Sequence, residues 1–353
     1  MMLTSPYPNV PVFRRSIFTH LLGTTPDAPD LVGGFPATSP AFIDSVSATV
    51  LTRAALRSYA LQFAYSLHNL PAPLAHAHDP TTPPTILIFS PNNIVWPILL
   101  HGVAAAGFRA TLANSAYTPS ELAHQYTDAG ARLIFTHPTL VPIVQDTLKS
   151  LGCTESEIRS RIVLVTSHWL TRVPDNVSTA LAQFVRVDAF FGRGVLPDEV
   201  NFDGERSDET LYLCYSSGTT GKPKGVETTH GNLVALIEIV RPAWPGTTPC
   251  LAPSLADAKG PTPDVFLGPL PYFHIYGAIK LLLFPLSLGT PVLVMAGFDP
   301  ARFCEAVERH RATMLLVVPP MLVVLARHEG MSVEIRLSPI SWGDSLLDSY
   351  RKV

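Results

Sequence analysis

Between residues 86 and 165 short runs with continuous apolar stretches alternate with longer segments of helical spacing, and this rhythm restricts the possible folds sharply. Ile86-Leu87-Ile88-Phe89, Arg109 to Ala113, Arg132 to Thr136 and Arg161 to Val165 read as strands. A strand that is apolar at successive positions is covered on both faces, the signature of a parallel sheet with crossover helices. The segments between them supply those helices. Ile94 to Ala106 ends at Gly107, Pro119 to Ala129 closes at Gly130, and Pro138 to Leu151 follows. Glycine just past a helix and proline at its first position are the expected stop and start signals. The fold class expected is α/β.

With 353 residues the chain is too long for one small core, and two subdomains are expected. The rhythm fades over 167–208, so a first subdomain is set at 1–190 and a second at 191–340, leaving 341–353 as an unmatched tail. In the second half Phe266 to Leu270, Val292 to Met295 and Met314 to Val318 read as strands. Helices are expected at His230 to Val240, over 277–288, from Asp299-Pro300 to His310, and from Pro319-Pro320 to Gly330. Earlier, Ala41 to Asp44 reads as a strand, and Thr52 caps a helix through Leu56, Ala60 and Phe63. A Pro-rich segment, Arg241 to Pro263, looks inserted, and no internal repeat is present.

Composition narrows the function. Charged residues are only 15% and the net charge is −3, which gives no electrostatic footprint for nucleic acid. The four cysteines show no C-x-x-C pair and the twelve histidines no metal-ligand spacing, so a reducing compartment without a structural metal is expected. The N-terminus lacks the build of a signal peptide. Leu281 to Phe298 is uncharged and just long enough to span a bilayer, but Pro285, Gly289 and Pro291 interrupt it. A buried core segment is expected there, with contact to one membrane face as the alternative.

One loop carries the chemistry. Leu211-Tyr212-Leu213-Cys214-Tyr215 runs as a buried strand into Ser216-Ser217-Gly218-Thr219-Thr220-Gly221-Lys222-Pro223-Lys224-Gly225. Glycines admit close backbone approach, successive N–H groups form an anion cradle, and hydroxyls and ammonium groups add donors. A flexible linker would have the same composition, but a loop entered directly from a core strand is positioned. It is not a Walker A loop, which would need glycine at 216 and Ser or Thr at 223. A second cluster is Pro269-Leu270-Pro271-Tyr272-Phe273-His274-Ile275-Tyr276-Gly277. Taken alone, its single histidine reads as a hydrogen-bonded core residue.

The ordered loop resembles the signature of the adenylate-forming superfamily, which includes acyl-CoA synthetases, 4-coumarate–CoA ligases, luciferases and peptide-synthetase adenylation domains. The His274 segment is similar to that family's P-x-(F/Y)-H motif, and Asn114 to Leu122 to its N-P-x-Y-T-x-x-E-(I/L) segment. Ser5-Pro6-Tyr7-Pro8 and Ser90-Pro91-Asn92 also resemble 4-coumarate–CoA ligase-like sequences. The resemblance implies an acetyl-CoA synthetase-like N-terminal domain of two stacked βα subdomains without the C-terminal lid. It further implies activation of an aromatic or medium-chain carboxylic acid as acyl-AMP with ATP and Mg²⁺, then transfer to a thiol such as CoA. Ser216, Ser217, Gly218, Thr219, Thr220, Gly221, Lys222 and Lys224 would hold the ATP phosphates, His274 would act at the reacting carboxylate, and His274 and Tyr276 would meet the acid. An intracellular site, cytoplasmic or peroxisomal, goes with this reading.

The sequence also departs from the family. The later G-Y-G-x-(S/T)-E and Y-x-(S/T)-G-D segments, the hinge and the lid lysine do not appear, and Leu337 to Asp344 replaces a small-residue turn. Gly297 stands where CoA ligases of this group often carry a lysine. A truncated, inactive fragment with weak nucleotide binding, a domain loading a carrier protein, and a nucleotide-dependent enzyme of another fold are the alternatives.

Overall fold

The structure is a computed structural model and describes residues 9–74, 84–175, 177–216, 222–244 and 246–328. The strands, in chain order, begin with a small hairpin, β1 (Leu31–Val32) and β2 (Phe35–Pro36). They continue with β3 (Pro40–Asp44), β4 (Val50–Thr52), β5 (Thr85–Phe89), β6 (Arg109–Leu112), β7 (Ala131–Thr136), β8 (Ile162–Leu164) and β9 (Val185–Arg186). Beyond these come β10 (Thr210–Ser216), β11 (Lys224–Thr229), β12 (Phe266–Gly268), β13 (Val292–Val294) and β14 (Met314–Leu315). Among the described residues they form two large sheets, ordered β11-β10-β6-β5-β7-β8-β9 and β14-β12-β13-β3-β4. Within each sheet the pairings are parallel except β10–β11 and β3–β4.

The α/β expectation holds, and its local reasons are visible. β5 is buried at all five positions, as a strand covered on both faces must be. The helix Trp96–Ala106 is buried along its whole length and ends where Gly107 takes a left-handed φ of 74°. The helix Arg53–His68 starts where the Thr52 side chain accepts the Ala55 N–H, and it buries Leu56, Ala60, Phe63 and Leu67. One buried cluster takes in Ile86 and Ile88 of the first sheet and Phe266 and Val292 of the second. The two sheets therefore share a core, while Leu122, Val144 and Leu148 of the helices over 119–150 pack in a second cluster and Phe303, Ala306 and Leu325 in a third.

The division between the sheets does not fall at residue 190. β10 and β11 extend the first sheet, because β6 offers a free parallel edge that pairs Tyr212 with Ala110 and Cys214 with Leu112. β3 crosses to the second sheet, where Phe42 lies opposite Val292. β10 and β11 thus belong with residues 85–186, while residues 40–52 belong with 266–315.

Two elements are shorter or less regular than expected. The 277–288 segment is a π-helix, Ala278–Leu283, between short α-turns, Ile275–Gly277 and Phe284–Leu288. Pro285 has no N–H to offer the preceding turn, which breaks the α-helical ladder there. β14 stops at Leu315 rather than Val318. Leu281 to Val294 resolves into largely buried helix and strand, Ala296 and Gly297 are exposed, and no described helix is long and apolar enough to cross a membrane. Gly330 and residues 341–353 lie outside the described residues.

Candidate active site

β10 delivers the loop. Leu211, Tyr212, Leu213 and Cys214 are buried, and the strand then emerges at Tyr215 and Ser216. β11 returns antiparallel, with Tyr215 opposite Gly225 and Ser216 opposite Lys224. A side chain at Gly225 would bring a Cβ to 3.1 Å from the Tyr215 ring, so the close approach of the two strands favours glycine there. Lys222 and Lys224, which flank Pro223, are both exposed. Ser217, Gly218, Thr219, Thr220 and Gly221 lie outside the described residues.

A cavity of about 620 Å³ opens at the carboxyl ends of β6 and β10. Its wall takes in Asn114, Tyr117 and Glu121 after β6, Cys214 to Ser216 on β10, Pro223 and Val226 from the returning stem, and Phe273 to Ile275. The carboxyl ends of parallel strands are where open α/β sheets bind ligands. Ser216 and Pro223, the described stems of the loop, and the His274 segment therefore meet at one cavity. Lys222 lines a smaller neighbouring pocket of about 160 Å³ against the helix Pro119–Asp128.

His274 and its segment are placed by four hydrogen bonds. Its Nδ1 accepts the Tyr276 N–H at 3.2 Å, so the ring proton sits on Nε2, free to donate. Asn92, which is buried, spans the segment: its Nδ2 donates to Leu270 O and its Oδ1 accepts the Tyr272 N–H, both at 2.8 Å. The Cys214 thiol donates weakly to Phe273 O at 3.6 Å. Tyr276 departs from expectation in one respect. It contributes its backbone N–H to His274, while the residue is 41% exposed and is not on the cavity wall.

The remaining wall groups are chemically quiet. Burial pushes the Cys214 thiol up to about 12, so it stays protonated and is no nucleophile near neutral pH. Glu121 is held below the usual carboxylate range by the backbone and hydroxyl of Thr118, in a capping box that starts the helix Pro119–Asp128. Tyr117 and Tyr215 are raised, chiefly by burial, and remain phenols. Asn92 and the helix Pro119–Asp128 are the site residues that sequence reasoning assigned only to turns and helix starts. The cues for Asn92 were its place in the turn after β5 and the family resemblance of Ser90-Pro91-Asn92.

Two packed sheets with a glycine- and lysine-flanked turn at their carboxyl ends have the architecture of the N-terminal domain of adenylate-forming enzymes. The ATP-bound MatB structure from Rhodopseudomonas palustris matches 89% of this chain and 51% of its own, with a TM-score of 0.65 at 19% identity. In sequence, residues 32–346 match the AMP-binding enzyme family. Among curated relatives, 4-coumarate–CoA ligase-like 8 of Arabidopsis thaliana is 33% identical over 242 residues, 68% of this chain and 38% of that protein. The 4-coumarate-CoA ligase 1 of Narcissus pseudonarcissus is 32% identical over 304 residues, 83% of this chain and 46% of that protein. The chain belongs to the AMP-binding enzyme family, and it spans less than half the length of these two relatives.

Proposed function

We propose that the chain binds ATP with its triphosphate at the β10–β11 turn and activates a carboxylic acid as acyl-AMP. The observation that carries this is the single cavity shared by Ser216, Pro223 and His274. In the reaction a carboxylate oxygen attacks the α-phosphorus, the bond to the β-phosphate oxygen breaks, and pyrophosphate leaves. Negative charge grows on pyrophosphate in the transition state, so fixed donors and the Lys222 and Lys224 ammonium groups stabilise it more than the ground state. His274, with Nε2–H free, donates to an oxygen of the carboxylate or the α-phosphate and holds the two at attacking distance. In a second step a thiol such as CoA, or that of a carrier protein, attacks the acyl carbonyl and AMP leaves.

Mg²⁺ enters as the counterion of the triphosphate. No group of three His, Cys, Asp or Glu side chains among the described residues gathers to hold a metal. An ion bound mainly through substrate phosphates and water asks for few protein ligands, and the Ser216 hydroxyl on the cavity wall would offer one. Leu112, Tyr117, Val226, Phe273 and Ile275 give the cavity an apolar and aromatic wall suited to an aromatic or medium-chain acid. The four free cysteines fit a reducing interior, cytoplasmic or peroxisomal.

A second reading, nucleotide binding without turnover, has its own support. Glu121 is the one carboxylate among the described cavity residues, and its helix cap already occupies it. A ribose would find no free carboxylate there. Titration with Mg·ATP, followed by acid-dependent pyrophosphate release over a panel of aromatic and medium-chain acids, separates the readings. Release that depends on the acid supports adenylation. Binding without release supports the second reading, and absence of binding refutes both.

A further inference from the structure

We propose that the helix Pro119–Asp128 carries the positioning residues of the phosphate turn, His124 holding the strand that leaves it and Asp128 the strand that enters. The proposal rests on the reading of that turn as the ATP site. His124 Nε2 lies 2.8 Å from Pro223 O, and since a carbonyl only accepts, the imidazole donates. Proline has no N–H, so this carbonyl is the one backbone handle at the position between Lys222 and Lys224. Fixing it fixes where both lysine stems leave the chain. On the entering strand the Tyr215 hydroxyl donates to Asp128 Oδ2 at 2.5 Å, a short bond to a charged acceptor. The His124 and Tyr215 rings meet edge to face, with centroids 6.2 Å apart.

The turn needs such a tie because of where it sits. β11 is the edge strand of its sheet, paired only with β10, and Lys224, Val226 and Glu227 on it are exposed. The helix itself is fixed to the sheet interior. Gln125 Nε2 donates to Thr111 Oγ1 on β6 at 2.8 Å in a buried contact, and the capping box sets the helix start. The same helix puts Glu121 on the cavity wall. Both stems of the turn are thus referenced to the element that borders the substrate cavity. An edge hairpin without those ties would place its donors less accurately, and misplacement of about 1 Å is enough to lose much of an oriented contact's worth.

Four variants of the full chain test this: His124→Leu, His124→Gln, Tyr215→Phe and, as control, Thr127→Ala at an exposed position of the same helix. Amide hydrogen exchange over 222–229 is read without nucleotide, and Mg·ATP affinity by calorimetry. Each lost hydrogen bond is expected to speed exchange at the turn stems and weaken ATP about fivefold, with urea midpoints close to the parent. His124→Gln keeps a side-chain N–H donor and should stay within about twofold of the parent, as should Thr127→Ala. The proposal is overturned if His124→Leu and Tyr215→Phe bind ATP like the parent, or if His124→Gln fails as badly as His124→Leu. A parent chain that does not bind ATP overturns the underlying reading instead, a different result from a parent that binds and variants that match it.

Discussion

Lowering the pH from neutral should destabilise this protein through two buried neutral histidines. His101 is enclosed in the helix Trp96–Ala106 with the Phe18 ring edge-on at 6.5 Å, and burial lowers it from 6.5 to about 4. His230 stacks on Phe202 at 4.3 Å, its Nδ1 accepts the Ile17 N–H, and burial lowers it likewise to about 4. In the unfolded chain both rings take up protons near their ordinary value of 6.5, whereas the folded chain resists protonation down to about pH 4. Unfolding therefore binds protons across that window. The stability contributed is fully present above pH 6.5 and is lost as the pH falls towards 4. A shift of about 2.5 units corresponds to roughly 3 kcal/mol per ring, so about 6 kcal/mol in all, a large share of a typical domain's stability. Urea unfolding at a series of pH values between about 7.5 and 4.5 measures it, since paired carboxylates contribute mainly below that range. The double variant His101→Gln, His230→Gln should flatten the profile. It should leave a shallow slope from His20 and His137, both lowered chiefly by burial. An unchanged slope in the double variant would refute the reasoning.

Two further substitutions probe the frame around the site. Arg53 is buried and donates to Val32 O, Leu286 O and Leu21 O at 2.8 to 3.0 Å, and Arg53→Met leaves three buried carbonyls without that donor. A loss of about 3 kcal/mol is expected in urea unfolding, and a loss below about 1 kcal/mol would contradict it. Asn92→Ala removes both hydrogen bonds that Asn92 makes to the His274 segment and leaves only the weak Cys214 contact from β10. It should cost about 2 kcal/mol and shift the His274 ring resonances in NMR, and unmoved resonances would show that the segment holds its place without Asn92.

How much of this was readable in the chain varies by element. The strands from Ile86 to Val165 were legible because a doubly covered strand is apolar at successive positions, as Ile86-Leu87-Ile88-Phe89 and Leu133-Ile134-Phe135 show. The helix starting at Pro119 was legible from its N1 proline. The pairing of Phe42 with Val292 was not, because burial periodicity records that a strand is covered but not which distant strand lies beside it. For the same reason, order along the chain groups β10 and β11 with its second half, whereas pairing puts them in the first sheet. The π-helix over Ala278–Leu283 follows from Pro285, but proline alone marks a break without specifying its form. At the site, the loop and His274 stood out by residue type and order. Asn92, His124 and Asp128 are ordinary surface-compatible residues in sequence, and only the fold gives them hydrogen-bond partners at the turn and the cavity.

The central claim is that the β10–β11 turn receives the triphosphate of ATP, and Mg·ATP titration of the parent chain against the double variant Lys222→Ala, Lys224→Ala tests it most directly. Charge-assisted contacts to phosphate are worth about 1.5 kcal/mol or more each, so the double variant should bind at least tenfold more weakly at an unchanged urea midpoint. Equal affinity in parent and variant would place the triphosphate elsewhere and contradict the account.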